Sequence, residues 1–168
     1  MFTQPGNSEP LFQGDIIDSC PLIFWECFQA DDEVIRKPLE IDVRVVVLTQ
    51  SCDLDNKKST RVQVAVVHET KLLVQQGVLK AATIRDHVRL HRMFGWYFLE
   101  QSDLLAESIV DFRDIHTVSR LLIDDLVAKG LRICTMVSPY REHLAKHFAD
   151  TFSRIALPNQ PVTTDESP

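Results

Sequence analysis

The stretch VVVLTQSCDLDNKK, residues 45–58, decides how this chain folds. Val45, Val46, Val47 and Leu48 are successive apolar residues, so DVRVVVLT over 42–49 predicts a strand covered on both faces. DLDNKKST supplies the turn residues that end it. RVQVAVV, residues 61–67, alternates before its last residues and reads as a half-buried strand paired with 42–49. The protein is therefore expected to grow around a β-hairpin.

Towards the amino terminus, LFQGDIID and PLIFWECF read as two short strands interrupted by Asp18, Ser19 and Pro21, with Gly14 allowing a tight entry. QADDEVIRKP reads as a charged connection. Towards the carboxyl terminus, Leu73, Val74, Val78, Ala81, Ala82, Ile84 and Val88 recur at helical spacing and predict one or two inserted helices. Residues 94–100 and 107–115 again look like strands. RLLIDDLVAK is a short helix ended by Gly130, and LRICTMV over 131–137 is a last strand. Ser138-Pro139 opens a closing helix that runs to about Arg154. Its apolar arc holds Tyr140, Leu144, Phe148, Phe152 and Ile155 and includes Arg141, with His143, His147, Asp150 and Arg154 along the edge. The expected fold class is α+β: a small, strongly twisted antiparallel β-barrel with an inserted helical segment and a C-terminal amphipathic helix. It occupies residues 11–158, and the polar segments 1–10 and 159–168 are expected to be disordered tails.

At 168 residues and 45% hydrophobic content, one core is expected. The net charge of -6 argues against tight non-specific binding to a phosphate backbone, which depends on Lys and Arg displacing counterions, but it leaves room for a local basic patch. No apolar run is long enough to span a bilayer and MFTQPGNSEP does not read as a secretory signal, so a cytoplasmic protein is expected. Cys20, Cys27, Cys52 and Cys134 lack CxxC spacing, so no structural zinc is expected, nor any other cofactor. A glycine-rich phosphate loop, GxSxG and the zincin motif are all absent.

The blocks QGDII, VVVLTQSCDL, IVDFRDI and SPYREHLAKHFADTFSRIALP resemble a group of small uncharacterised bacterial proteins that share them. More distantly, Gly14-Asp15-Ile16 and Val46-Val47-Leu48-Thr49 are similar to segments of the MazF/PemK-type endoribonuclease toxins, and this resemblance implies a src-homology-3-like barrel. Aligned on the Val-Val-Leu segment, the toxins' catalytic Arg falls on Val43 and their Pro on Arg44. A bulge would be needed to return Arg44 to the catalytic face. The toxins' catalytic Thr corresponds loosely to Thr70.

Four groups of residues are candidates for function. Cys52 and Asp53, just past a strand end, read either as a thiolate with an orienting carboxylate or as a turn in which Cys52 fills a gap; the turn is favoured, because nothing in the residues lowers a thiol pKa. The pairs His87/His91 and His143/His147 have the i, i+4 spacing of metal ligands but lack converging partners, and no metal is expected. Arg85, Arg89 and Arg92, with Lys57, Lys58 and Arg61, form a candidate RNA-binding groove beside the stacking aromatics Phe94, Trp96 and Tyr97; a solvated helix face is the favoured reading. Arg141, within an apolar arc, requires a partner, and Asp53 or Asp111 is expected to supply a structural ion pair. Three functions stay open. We favour a non-catalytic interaction module of a bacterial toxin-antitoxin or phage-defence system, with a protein partner or a homodimer. The alternatives are an RNA-binding or RNA-cleaving barrel using Arg44, Cys52, Asp53 and Thr70, and a thiol- or metal-dependent enzyme centred on Cys52.

Overall fold

Val45, Val46 and Val47 pair with Val66, Ala65 and Val64, and the hairpin predicted from the valine run forms in this register. The computed structural model describes residues 1–6, 8–30, 33–55 and 59–153. Its strands are β1 (Phe2–Thr3), β2 (Asp15–Ala30), β3 (Glu33–Val47), β4 (Arg61–Glu69), β5 (Trp96–Leu99), β6 (Ser108–Ser119) and β7 (Arg132–Met136). They make one sheet in the order β1-β7-β2-β3-β4-β6-β5, and every pairing is antiparallel. The helices are α1 (Ser51–Asp55), α2 (Thr70–Gln75), α3 (Ala81–Thr83), which continues into a π-helical turn at Ile84–Val88, α4 (Arg120–Ala128) and α5 (Tyr140–Phe152).

The α+β class and antiparallel sheet are as expected, but the sheet is open, with β1 and β5 at its edges; it is not a closed barrel. The valine run shows why. Val45 and Val47 enter a core with Ile17, Val64 and, from α4, Ile123 and Leu126, whereas Val46 and Leu48 enter a second core with Tyr97, Phe112 and, from α5, Leu144. A strand with apolar neighbours on both faces belongs to a sheet layered between helices, while a small barrel fills only its interior. A third cluster, with Leu73, Ile84 and Val88 against Trp96, Phe98 and Ile109, seats the inserted helical segment.

The described residues of the segment 1–10, expected as a tail, are tied to the sheet. Phe2 and Thr3 pair with Met136 and Thr135, and the Arg132 guanidinium donates to the carbonyls of Gly6, Glu9 and Pro10. Arg132 also donates to the fully buried Asp15 carboxylate at 3.0 Å, which further accepts the Phe12 amide and the Thr135 hydroxyl. The Gly14-Asp15 motif is thus an internal anchor. Gly14 has φ +86°, and a Cβ there would sit 3.0 Å from the Met136 Cβ. The segment 159–168, expected as the second tail, lies outside the described residues.

The two short strands and charged connection predicted for residues 11–38 are in fact one long hairpin. β2 leaves β7 after Ile17, and β3 pairs with β4 only over Val45–Val47, but β2 and β3 stay paired with each other out to Ala30 and Glu33. From Pro21 to Asp42 the ribbon projects from the sheet as an arm. Its root carries a bulge: two residues, Asp18 and Ser19, lie between Ile17 and Cys20 on β2 where one, Arg44, lies between Val43 and Val45 on β3, and Ser19 takes φ +51°. Bulges increase local twist and redirect a ribbon. Arg44, on β3 within this bulge, reaches Asp18 at 3.3 Å and Glu69 at 3.4 Å and so ties the arm's root to β4.

Candidate functional site

The arm concentrates exposed apolar side chains. Ile23, Trp25, Phe28, Val34, Ile35, Leu39 and Ile41 are all solvent-exposed, with Trp25 63% accessible. Residues opposite one another in an antiparallel pair share a face, and alternate residues along a strand do too. One face therefore carries the rows Ile23/Glu40, Trp25/Pro38, Cys27/Arg36 and Gln29/Val34. The other carries Leu22/Ile41, Phe24/Leu39, Glu26/Lys37 and Phe28/Ile35. On this second face Leu22 and Phe24 join the core beneath α4, and Phe24 meets His116 edge-on at 5.1 Å, but the rows beyond are bare.

The residues singled out in the sequence take other places. Thr49 ends β3's run by accepting the Gln63 amide, and Ser51–Asp55 is a single helical turn that seats Leu54 in the core. Ser51 accepts the Gln13 amide, Gln13 donates to the Leu48 carbonyl, and Arg120 donates to the Leu54 carbonyl. Cys52 and Asp53 are the exposed side of this turn, with the Cys52 Sγ 3.7 Å from Gln50 Oε1 and 4.0 Å from Asp53 Oδ1. Thr70 is buried; its hydroxyl donates to Glu107 Oε1 at 2.8 Å and pins α2 to the start of β6.

Arg141 meets neither Asp53 nor Asp111. It lies at the start of α5 on a half-exposed flank and pairs with its neighbour Glu142 at 3.3 Å, while Asp111 is held by Arg113 in a two-pronged contact at 2.9 and 2.8 Å. The buried arc of α5 runs through Leu144 and His147 and leaves Tyr140 and Phe152 exposed, which displaces Arg141 from the core-facing side. Of the candidate RNA groove, Arg85 pairs with Asp86 at 2.8 Å and Arg89 lies 3.8 Å from Glu100, while Arg92 is exposed. Lys57 and Lys58 fall outside the described residues. Trp96 and Tyr97 are buried, and the Arg113 guanidinium covers Trp96 at 3.8 Å, so neither presents a ring for base stacking.

The histidines regroup across elements. The His91 ring lies 4.6 Å from His143 and 5.6 Å from His147, with Tyr97 4.8 Å away. Tyr97 Oη is 3.1 Å from His143 Nδ1, and His147 Nε2 bonds the Trp96 carbonyl. His91 sits at φ +54°, and its buried Nδ1 has no hydrogen-bond partner among the described residues. Burial, reinforced by His143 and His147, pushes His91 down to about 4; burial likewise lowers His147 and raises Tyr97. A cleft of about 360 Å³ opens beside them, lined also by Arg89, Phe98, Glu100 and Tyr140. It offers acid-base groups, but among the described residues no serine, threonine, cysteine or lysine lines it as a nucleophile. Among the described residues, no group of three His, Cys, Asp or Glu side chains is placed to hold a metal ion, and no helix is long and apolar enough to cross a membrane.

The arm's second strand read as a connection in the sequence because, beyond Leu22 and Phe24, neither face of the ribbon is buried. Its one available signal was the density of Ile, Trp, Phe and Val on both sides of a stretch whose charges would otherwise mark a loop. Compared with known proteins, the chain matches no family model and no curated sequence.

Proposed function

We propose that this protein is a non-catalytic interaction module that docks through the β2–β3 arm. One observation carries the reading: seven large apolar side chains are exposed along a ribbon that leaves the sheet and, among the described residues, is uncovered beyond its root. Single exposed apolar residues are ordinary, but a contiguous set on one projecting element marks an association surface. Burying such side chains contributes on the order of 25 cal/mol per Å² of apolar area, and the folded body leaves that contribution unused. The toxin-antitoxin or phage-defence setting implied by resemblance is not required for this reading.

The test is to shorten the arm beyond its packed root, joining Phe24 to Leu39 through an Asn-Gly turn in place of residues 25–38, which keeps the contact of Phe24 with the core. A docking arm is dispensable for folding, so the shortened protein keeps a cooperative thermal transition within a few degrees of the parent and loses self- or partner association. Loss of the folded body on shortening would show that the arm is structural and end the docking reading.

A further inference from the structure

We infer that the arm's occupant is a second copy of this chain, packed face to face about a two-fold axis that crosses the arm at Trp25. This rests on the docking reading and adds which molecule docks and in which register. Trp25 and Pro38 are opposite one another near the middle of the arm, between the Ile23/Glu40 row and the Cys27/Arg36 row. An axis lying in the contact plane across the strands at Trp25 exchanges those flanking rows. Trp25 then meets Trp25, Glu40 meets the partner's Arg36, and Arg36 meets the partner's Glu40. A two-fold contact must be self-complementary in this way.

The charges also select the face. Within one chain Arg36 and Glu40 lie four residues apart on one strand, roughly 13 Å by the rise of an extended chain, too far to pair. Both are exposed, and neither is in an ion pair among the described residues. On the opposite face the middle row is Glu26/Lys37, and the same axis would set Glu26 on Glu26 and Lys37 on Lys37. Like charges directly opposed are destabilising. An axis running along the arm would bring two bodies, each with a helix on either face, to the same end of the paired arms; the crossing axis keeps them at opposite ends. Ten residues of two-stranded ribbon give a strip of roughly 33 by 10 Å, on the order of 500 Å² of accessible surface per copy, at the low end for specific association. The dimer is therefore concentration-dependent.

Sedimentation of the full chain from about 1 to about 300 µM is expected to show the mass rising from 19.2 kDa towards twice that value. Arg36→Glu and Glu40→Arg each weaken association at least tenfold, and an equimolar mixture of the two restores it, because every crossing contact in the mixed dimer again joins opposite charges. Trp25→Ser weakens it at least as much, while thermal unfolding of all three variants stays with the parent. A mass fixed at 19.2 kDa at the highest concentration overturns the inference. So does a mixture that stays monomeric, or a dimer broken by Glu26→Lys and indifferent to Arg36→Glu. A monomer whose arm-shortened form still folds leaves the docking reading standing with another partner; a shortened form that unfolds removes both.

Discussion

β2 and β3 are each two strands in one, and the halves obey different rules. Below the bulge, Ile16, Ile17, Val45, Val46 and Val47 are fully buried between α4 on one face and α5 on the other. Above it, Ile23, Trp25, Val34 and Ile35 continue the same ladder with the same kinds of side chain in solvent. Apolar composition and strand pairing are therefore common to both halves, and what separates them is whether a helix covers the ribbon. The root earns stability for the fold; the arm holds apolar surface in reserve for association.

The largest expected effect lies at the root. The Asp15–Arg132 pair is almost wholly buried, and burial raises the Asp15 carboxyl despite the pull of Arg132. Asp15→Ala leaves a buried guanidinium that also organises the Gly6, Glu9 and Pro10 carbonyls, so a loss of about 3–5 kcal/mol is expected in urea unfolding. An equal charge removal on the arm, Arg36→Ala, is expected to cost less than about 0.5 kcal/mol. Similar losses at the two sites would erase the distinction between root and arm.

A matched pair on one strand sharpens it. Ile17 is fully buried and Ile23 is 58% exposed. Ile17→Ala removes core contacts and leaves a cavity, for a loss of about 2–5 kcal/mol, whereas Ile23→Ala changes stability by about 0.5 kcal/mol or less. Both are read from the denaturation midpoint at constant slope. A large loss at Ile23 in the monomer would mean that something within the chain already covers the arm.

How much of this was legible follows from the same contrast. Where one or two faces are buried, periodicity reports the element: the valine run and the alternating 61–67 stretch are strands, the helix closed by Gly130 forms, and a helix follows Pro139 to Phe152, its expected end near Arg154 lying outside the described residues. Where no face is buried, nothing forces alternation, and the charged stretch 33–38 looked like a connection although it forms half of a hairpin. Asp18, Ser19 and Pro21 read as a strand break because the residues of a bulge are also those of a turn. That the strand end turns at 51–55 was readable from local chemistry, but Cys52, expected to fill a gap, is exposed and it is Leu54 that is buried. The meeting of His91 with His143 was not readable, because it depends on how α5 packs beside the π-helical turn rather than on spacing within either.

That histidine cluster gives a pH-dependent prediction. His91 is lowered from 6.5 to about 4 in the folded protein, so between these values the unfolded chain binds more protons than the folded one. Its contribution is fully present above about pH 6.5 and is lost as pH falls towards 4. The thermal midpoint is thus expected to drop on acidification through this window. His91→Asn should flatten part of the slope, since Asn tolerates the left-handed backbone and does not titrate. An unchanged slope would mean that His91 is no more shielded than the arm.

The smallest effects are expected at positions that the sequence made prominent but the fold leaves on its surface. Among the described residues the ion pair of Arg141 is with its neighbour Glu142, and an exposed ion pair between chain neighbours contributes at most about 1 kcal/mol. Arg141→Ala should therefore move the unfolding midpoint only slightly, and the arm's self-association not at all, because α5 lies on the body. Cys52→Ala should behave alike: in the Ser51–Asp55 turn it is Leu54 that is buried. The informative comparison is Leu54→Ala, two residues away on the same turn, for which a loss of about 2–5 kcal/mol is expected. If Cys52→Ala were the more damaging of the two, the thiol would be supporting the turn more than the leucine does, and the strand end would have to be understood from its polar side.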